Sequence, residues 1–143
     1  MSIGILFVVF YVFVATVYLT NRKESIDWIE DYEMGIKMAQ QQNKPVLLAF
    51  YKRNTTFTSD MEHNTYNHPR VKEYVERIFI PVLIDVDKQP EIAKKYNVNY
   101  YPTHYIRYAN REEVGSPLMG YDSAGLFIQK LTALLKDMNI SVK

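Results

Sequence analysis

The chain has 143 residues, 48% of them hydrophobic and 23% charged, with a formal net charge of +1. That is one ordinary globular domain and a little more, and the charge, with no basic stripe along the sequence, excludes the electrostatic footprint of a nucleic-acid binder. Cysteine is absent, which excludes disulfide staples, thiolate metal sites, catalytic Cys and thioether haem attachment while leaving the redox compartment open.

From the N-terminus, residues 1–21 carry no charged side chain, and Ile3–Leu19 is dominated by Ile, Leu, Phe and Val. As a helix, about 20 residues at 1.5 Å each span roughly 30 Å, the hydrocarbon thickness of a bilayer. The apolar side chains contribute roughly −4 to −7 kcal/mol to insertion at most. The stretch is predicted to be an uncleaved transmembrane anchor with the lipid bilayer as its partner; a cleavable signal peptide would carry Lys or Arg before the apolar run and a small-x-small site after it. Tyr11 falls near the middle of the anchor, where its phenol either meets a hydrogen-bond partner on another helix or is tolerated singly in lipid. Residues 22–25 form a polar linker. Its Arg22 and Lys23 would, by the positive-inside rule, keep the following domain in the cytoplasm.

The domain is assigned to residues 26–138. Ile26–Gln42 places Trp28, Ile29, Tyr32, Ile36 and Ala39 at three- and four-residue spacing, which predicts an amphipathic helix broken at Lys44-Pro45. Ser25 is its expected N-cap, with Asp27, Glu30 and Asp31 suited to the start of the helix dipole. Val46–Tyr51 is a short apolar run, as a buried parallel strand requires. Thr58–Tyr66 and Pro69–Arg77 read as helices split by Asn67-His68-Pro69, with Pro69 at N1. Phe79–Asp85 reads as a second central strand and Pro90–Tyr96 as a short helix. Tyr105–Tyr108 and Val114–Met119 read as strands joined through Ala109-Asn110-Arg111. Ser123–Met138 closes the domain as a helix, with Leu126, Phe127, Leu131, Leu134 and the stem of Lys130 on its apolar face; 139–143 are a tail.

Within this order, Leu47–Val71 reads LLAFYKRNTTFTSDMEHNTYNHPRV: a strand ending in Phe-Tyr, a turn, then a helix. Its spacing resembles the active-site stretch of thioredoxin-fold proteins, and is similar above all to the C-terminal domain of the membrane disulfide reductases. There the strand runs into W-C-x-x-C-K, a helix and then D-P-x-V. Laid on this sequence without a gap, the tryptophan position is Asn54, the two cysteine positions are Thr55 and Thr58, and the lysine position is Ser59. Asn99-Tyr100-Tyr101-Pro102-Thr103 stands where the family carries x-P-T with a cis proline, and Asp85-x-Asp87 and Gly120-Tyr121 also match. The resemblance covers about 26–136. It implies an α/β, thioredoxin-like three-layer fold, a central mixed sheet flanked by helices, here preceded by one N-terminal transmembrane helix. Relatives with such a hydrophobic segment are mostly exported. With the N-x-S acceptor pattern at Asn139, preceded by Asp137, this points to a bacterial inner-membrane protein with a periplasmic domain, against the positive-inside reading.

Thiol–disulfide exchange needs a thiolate to attack and a second sulfur to resolve the mixed disulfide. Threonine hydroxyls supply neither, so the family reaction is not expected, nor is any other enzymatic activity, nor a cofactor. Thr55 and Thr58 are expected instead to cap backbone N–H groups at a helix start, and no adjacent base is readable that would activate either as a nucleophile. His63 and His68, split by a turn, do not share a helical face; with Asp60 and Glu62 they read as solvated polar surface rather than metal ligands. His104, after the proline, has no assigned role. Asn54-Thr55-Thr56 is an N-x-T match taken as chance.

What the resemblance leaves is a binding surface. In the family, the loop before the cis proline lies beside the active-site turn, and together they hold extended polypeptide through strand-like backbone hydrogen bonds. Here Tyr100, Tyr101, Pro102 and Thr103 form one lip and Tyr51 and Phe57 the other, with Tyr105 close by; tyrosines offer large area at low rotamer cost. The resemblance therefore implies a redox-inactive protein-interaction or structural subunit of a larger membrane complex, with a protein partner in or at the membrane. The alternative is a redox accessory that presents substrate to a cysteine-bearing thioredoxin-like protein.

Overall fold

The computed structural model describes residues 3–20 and 24–142. Met1, Ser2 and Asn21 of the expected anchor, Arg22 and Lys23 of the linker and Lys143 of the tail lie outside them. The first helix, α1 (Ile3–Thr20), has no acidic residue in its first turn and no basic one in its last, and its large apolar side chains from Ile3 to Val17 are exposed. Among the described residues no helix is long and apolar enough to cross a membrane. At 18 residues, α1 covers about 27 Å against roughly 30 Å of hydrocarbon. The crossing expected over 1–21 is therefore not met by the described residues.

The domain is built on four strands, β1 (Val46–Tyr51), β2 (Ile80–Asp85), β3 (Thr103–Arg107) and β4 (Leu118–Met119), in the order β2-β1-β3-β4. β1 and β2 are parallel, with Val46 opposite Ile80; β3 is antiparallel to β1, with Phe50 opposite Thr103; β4 is antiparallel to β3. Val46–Phe50 is buried throughout because helices cover both faces, which is why the strand reads as a continuous apolar run. On one face Leu47 and Ile106 pack against α3 (Thr56–Met61), α4 (Pro69–Ile78) and α6 (Ala124–Asp137), through Met61, Val71, Val75, Phe127 and Leu131. On the other, Leu48, Phe50 and Val82 pack against α2 (Tyr32–Gln42) and α5 (Pro90–Lys95).

Several expected boundaries are corrected by where backbone groups find partners. Helix α2 starts at Tyr32, not near Ile26, and its cap is Asp31, whose carboxylate accepts from the Met34 N–H, not Ser25. Residues Ile26–Asp31 are not helical: the Trp28 N–H closes a tight turn on the Ile26 carbonyl at 3.1 Å, and Ile29 forms a parallel bridge to Val82, donating to the Pro81 carbonyl at 2.9 Å and accepting from the Leu83 N–H at 2.9 Å. Trp28 and Tyr32 fit a helical spacing, but in this segment Trp28 packs edge-on to Tyr66 at 5.0 Å while Tyr32 enters the opposite core layer. The helix expected over Thr58–Tyr66 begins at Thr56, and Glu62–Tyr66 is a π-helical turn that buries Thr65 and Tyr66. Pro69 is at N1 of α4 as expected, with His68 as its cap. The strand expected over Val114–Met119 shrinks to Leu118–Met119, with Val114 in a lone bridge to Arg107; Pro117 offers no N–H for a ladder. Leu126, assigned to the apolar face of the last helix, is exposed. Helix α6 ends in a left-handed Asn139 (φ 53°). The Ile140 N–H reaches the Leu135 carbonyl at 2.9 Å, and the Ile140 side chain packs on the core, as in a Schellman cap.

Gly35 lets α2 lie directly on the sheet. A methyl group there would collide with Val82 Cγ2, and Val82 is fully buried and has nowhere to move. Gly35→Ala is expected to lower stability by about 1–2 kcal/mol, since overpacking outweighs the roughly 1 kcal/mol that alanine gains in helix propensity. A urea-unfolding midpoint at or above wild type would show that the helix can lift away.

Candidate functional site

β1 runs out at Tyr51 into a turn in which Asn54 adopts φ 61°, a left-handed conformation that asparagine tolerates better than most residues. The chain re-enters helix at Thr56, so Thr55 occupies the N-cap position of α3. The expected capping bond is not formed: Thr55 has no side-chain cap bond. Its hydroxyl donates instead to Thr58 Oγ1 at 2.6 Å, with the Lys52 carbonyl oxygen as a second acceptor at 3.2 Å. Thr58 is buried inside α3, 5% exposed. Residues three apart share a helical face, so the two positions that would carry sulfur do converge, but their hydroxyls are engaged with each other. Among the described residues neither has a carboxylate or imidazole as a hydrogen-bond partner, so none of these supplies a base to activate an alcohol.

Beside this pair lies an open polar cleft of about 700 Å³, lined among others by Tyr51, Arg53, Thr55, Asp60 and Glu62. Two of its lining side chains, Tyr51 and Arg53, are held by Asp85, which is buried at the end of β2. One carboxylate oxygen accepts from Arg53 Nε at 3.0 Å and Tyr51 OH at 3.3 Å; the other accepts from the Asp87 N–H at 3.1 Å. Burial raises the Tyr51 pKa above the usual phenol value, opposed by the neighbouring Arg53 guanidinium. Tyr51, expected on a binding lip, is thus tied down by Asp85. Arg53 and Asp85 could not have been paired from sequence, since they lie at the ends of different strands.

On the other side, the Tyr101–Pro102 peptide bond is cis. Because Thr103 is opposite Phe50, Pro102 lies at the same end of the sheet as the Thr55 turn. Thr103 is buried and donates to the Tyr100 carbonyl at 2.6 Å, and the Pro102 carbonyl accepts from Gly120 N–H at 2.8 Å. Gly120 needs its freedom there, at φ 84°. The Tyr101 phenol donates to the Val98 carbonyl at 3.3 Å and its ring packs on the core. Tyr105, suggested as part of the surface, is core instead, packed against Phe50 and Tyr96. What stays open is Phe57 at 49% and Tyr100 at 45% exposure, joined by Met119 at 60% and Tyr121 at 39%. Met119 and Tyr121, on either side of Gly120, were missed because an isolated Met or Tyr beside a turn carries no periodic signal. Tyr11, on α1, is 76% exposed.

The histidines have local roles. His63 Nδ1 meets the Ser59 carbonyl at 2.8 Å, and His68 Nδ1 accepts from the Arg70 N–H at 3.2 Å to cap α4. His104 is buried behind the site, with Nε2 2.5 Å from Tyr66 OH and its ring 4.9 Å from that of Phe127. Its Nδ1 has no hydrogen-bond partner: the Leu118 backbone across the β3–β4 pair favours the proton but does not reach bonding geometry. Desolvation therefore dominates and lowers the His104 pKa to about 4, against weaker raising effects of Leu118 and Asp122. Burial also raises the Tyr66 phenol pKa, with Glu62 adding to it.

Fold and site together define a thioredoxin-like domain with hydroxyls at both thiol positions. The chain belongs to the Thioredox_DsbH family, described as "Protein of unknown function, DUF255", whose family model matches residues 13–107. No curated protein matches. Among solved structures, a DsbH oxidoreductase superposes with a TM-score of 0.70 at 16% identity, covering 78% of this chain and 85% of that one. A thioredoxin from Thermus thermophilus gives 0.68 at 23% identity, covering 76% and 86%. The oxidised C-terminal domain of DsbD from Neisseria meningitidis gives 0.64 at 24% identity, covering 75% and 98%. At these identities the likeness establishes the fold. The reactive sulfurs of thiol chemistry are absent from this chain, which has no cysteine.

Proposed function

We propose that this is a membrane-anchored, redox-inactive thioredoxin-like protein that serves as a protein-interaction subunit of a larger membrane complex. The observation that carries the reading is the pairing of Thr55 with Thr58 in a site whose surroundings remain open to a polypeptide. Among the described residues, Tyr101 makes no backbone hydrogen bond, so its N–H and C=O can pair with an added strand, and exposed Phe57 and Tyr100 flank it. Anchoring rests on the exposed apolar side chains of α1. The shortfall of about 3 Å against the hydrocarbon is absorbed by local thinning at a fraction of a kcal/mol per Å. Export to the periplasmic side of a bacterial inner membrane is favoured by exposed Asn139 in its acceptor pattern.

A photo-cross-linker placed at Tyr100, and separately at Tyr11, in the full chain in its native membrane tests this. Stoichiometric capture of one protein is expected. A free monomer in mild detergent with no capture at either position would overturn the reading, and a captured cysteine-bearing thioredoxin-like protein would turn it toward presentation of substrate to that partner. With the partner in hand, Tyr100→Ala is expected to weaken association about tenfold, the equivalent of about 1.4 kcal/mol lost from an aromatic anchor. The unfolding midpoint should not move, because that ring is half exposed. Unchanged affinity would remove this lip from the interface.

A further inference from the structure

The face of the sheet covered by α2 and α5 carries a charge that the fold leaves unmatched. Arg107, the last residue of β3, stands opposite Val46 and is 4% exposed. It is the only buried arginine among the described residues. Its Nη1 donates to the neighbouring Tyr108 carbonyl at 3.0 Å, but its Nε has no hydrogen-bond partner. Among the described residues no carboxylate lies within ion-pair distance of it. A buried cation in this position has lost water and gained no acceptor in return, which is unfavourable.

A second donor beside it is unmatched too. The Tyr32 and Tyr96 hydroxyls lie 2.6 Å apart. One donates to the other, and the hydrogen of the accepting phenol has no acceptor among the described residues. Burial, and then Tyr32, raise the Tyr96 phenol pKa, while the nearby Arg107 guanidinium opposes them. Lys95, in the last turn of α5, holds its Nζ 5.6 and 5.9 Å from the centroids of the two rings. A carboxylate does reach this corner, from the connection between β3 and β4. Glu112 accepts from Lys95 Nζ at 3.0 Å; Lys95, and more weakly Arg107, hold its pKa below the ordinary carboxylate value. The pair is solvent-facing, 41% exposed at Lys95 and 75% at Glu112, so it contributes little and parts readily. It also shows that an oxyanion fits there.

We propose that Lys95, Arg107 and the Tyr32–Tyr96 hydroxyl pair form a site for a phosphate group, with the Glu112 carboxylate as its displaceable internal occupant. Two cations and a spare phenol hydrogen face a single carboxylate, which leaves one positive charge unneutralised. A phosphate brings more negative charge and more acceptor oxygens than that carboxylate, and so matches the donors better. The site is separate from the threonine pair: Arg107 lies level with Val46, where β1 begins, and Thr55 follows the other end of that strand. It therefore stands or falls independently of the interaction role argued above.

The test is a titration of the isotope-labelled full chain in mild detergent at constant ionic strength. It is read from the Nε–H resonance of Arg107, which burial sets apart. Inorganic phosphate is expected to move that signal saturably. Glu112→Gln, which removes the internal occupant, should tighten binding about tenfold, and Lys95→Gln should weaken it about tenfold. Both side chains are exposed, so neither change should disturb folding. Glycerol phosphate in a parallel titration distinguishes an esterified phosphate, such as a lipid headgroup, from the free ion: the tighter of the two names the source. No saturable shift with either the natural chain or Glu112→Gln would overturn the site. A shift that Lys95→Gln leaves unchanged would overturn its composition, and acetate binding as tightly as phosphate would overturn the assignment of the ligand.

Discussion

A Thr55→Cys/Thr58→Cys double variant is expected to close an intramolecular disulfide and to catalyse the reduction of insulin by dithiothreitol, a reaction for which the natural chain carries no thiol. The two hydroxyl oxygens already lie 2.6 Å apart, close to the reach of a sulfur–sulfur bond, on side chains that leave one helical face. Thr55 stands at the N-terminal end of α3, where the helix dipole and free N–H groups favour a thiolate, and it is partly exposed while Thr58 is buried. That asymmetry assigns attack to the first position and resolution to the second. Each single variant should form only mixed disulfides, since a resolving sulfur is missing. The check is titration of free thiols after oxidation with glutathione disulfide, followed by an insulin turbidity assay. Two free thiols and a background rate would mean that Asn54 and Ser59, which depart from the family pattern, have altered the site beyond repair by sulfur.

Acidification is the second large effect expected. Between pH 7 and pH 5 the domain should lose about 2 kcal/mol through His104 alone. In the unfolded chain its imidazole titrates near the ordinary 6.5, while in the folded chain burial holds it near 4. Across that interval the unfolded state binds more protons, so stability falls as pH falls, and the loss levels off about one pH unit below 4, where both states are protonated. Little in the fold offsets the charge: Nδ1 has no partner among the described residues, the Tyr66 phenol can engage only Nε2, and Leu118 and Asp122 oppose desolvation only weakly. Urea-unfolding midpoints at pH 7 and pH 5 report the loss. His104→Gln, which keeps an acceptor for Tyr66 but does not titrate, should flatten the dependence; a parallel decline in that variant would assign the loss to other groups.

Much of the fold was legible because its cues are local. The run Val46–Tyr51 could hardly be other than a doubly covered strand, and Asn67-His68-Pro69 announces a break followed by Pro at N1. The gap-free placement expected Thr55, Thr58 and Pro102 side by side, and they lie at one end of the sheet. What escaped depended on distant partners. Trp28, Ile29 and Tyr32 have helical spacing, and only the Pro81 carbonyl and Leu83 N–H, some fifty residues further on, draw that segment out into an edge strand. The choice of Thr55 to bond Thr58 rather than a backbone N–H is a rotamer decision invisible in letters. Arg53 and Asp85, Tyr66 and His104, and the exposure of Met119 and Tyr121 likewise arise only when strands and helices are assembled.

The short extended piece around Ile29 matters for handling the domain on its own. A soluble version begun at Asp31, as the true start of α2 invites, would strip β2 of its cover and leave the Pro81 carbonyl and Leu83 amide facing water. Bare sheet margins of that kind zip onto neighbouring molecules, so such a fragment should precipitate or form multimers as its concentration rises. One begun at Glu24 keeps the margin sealed and should remain monodisperse.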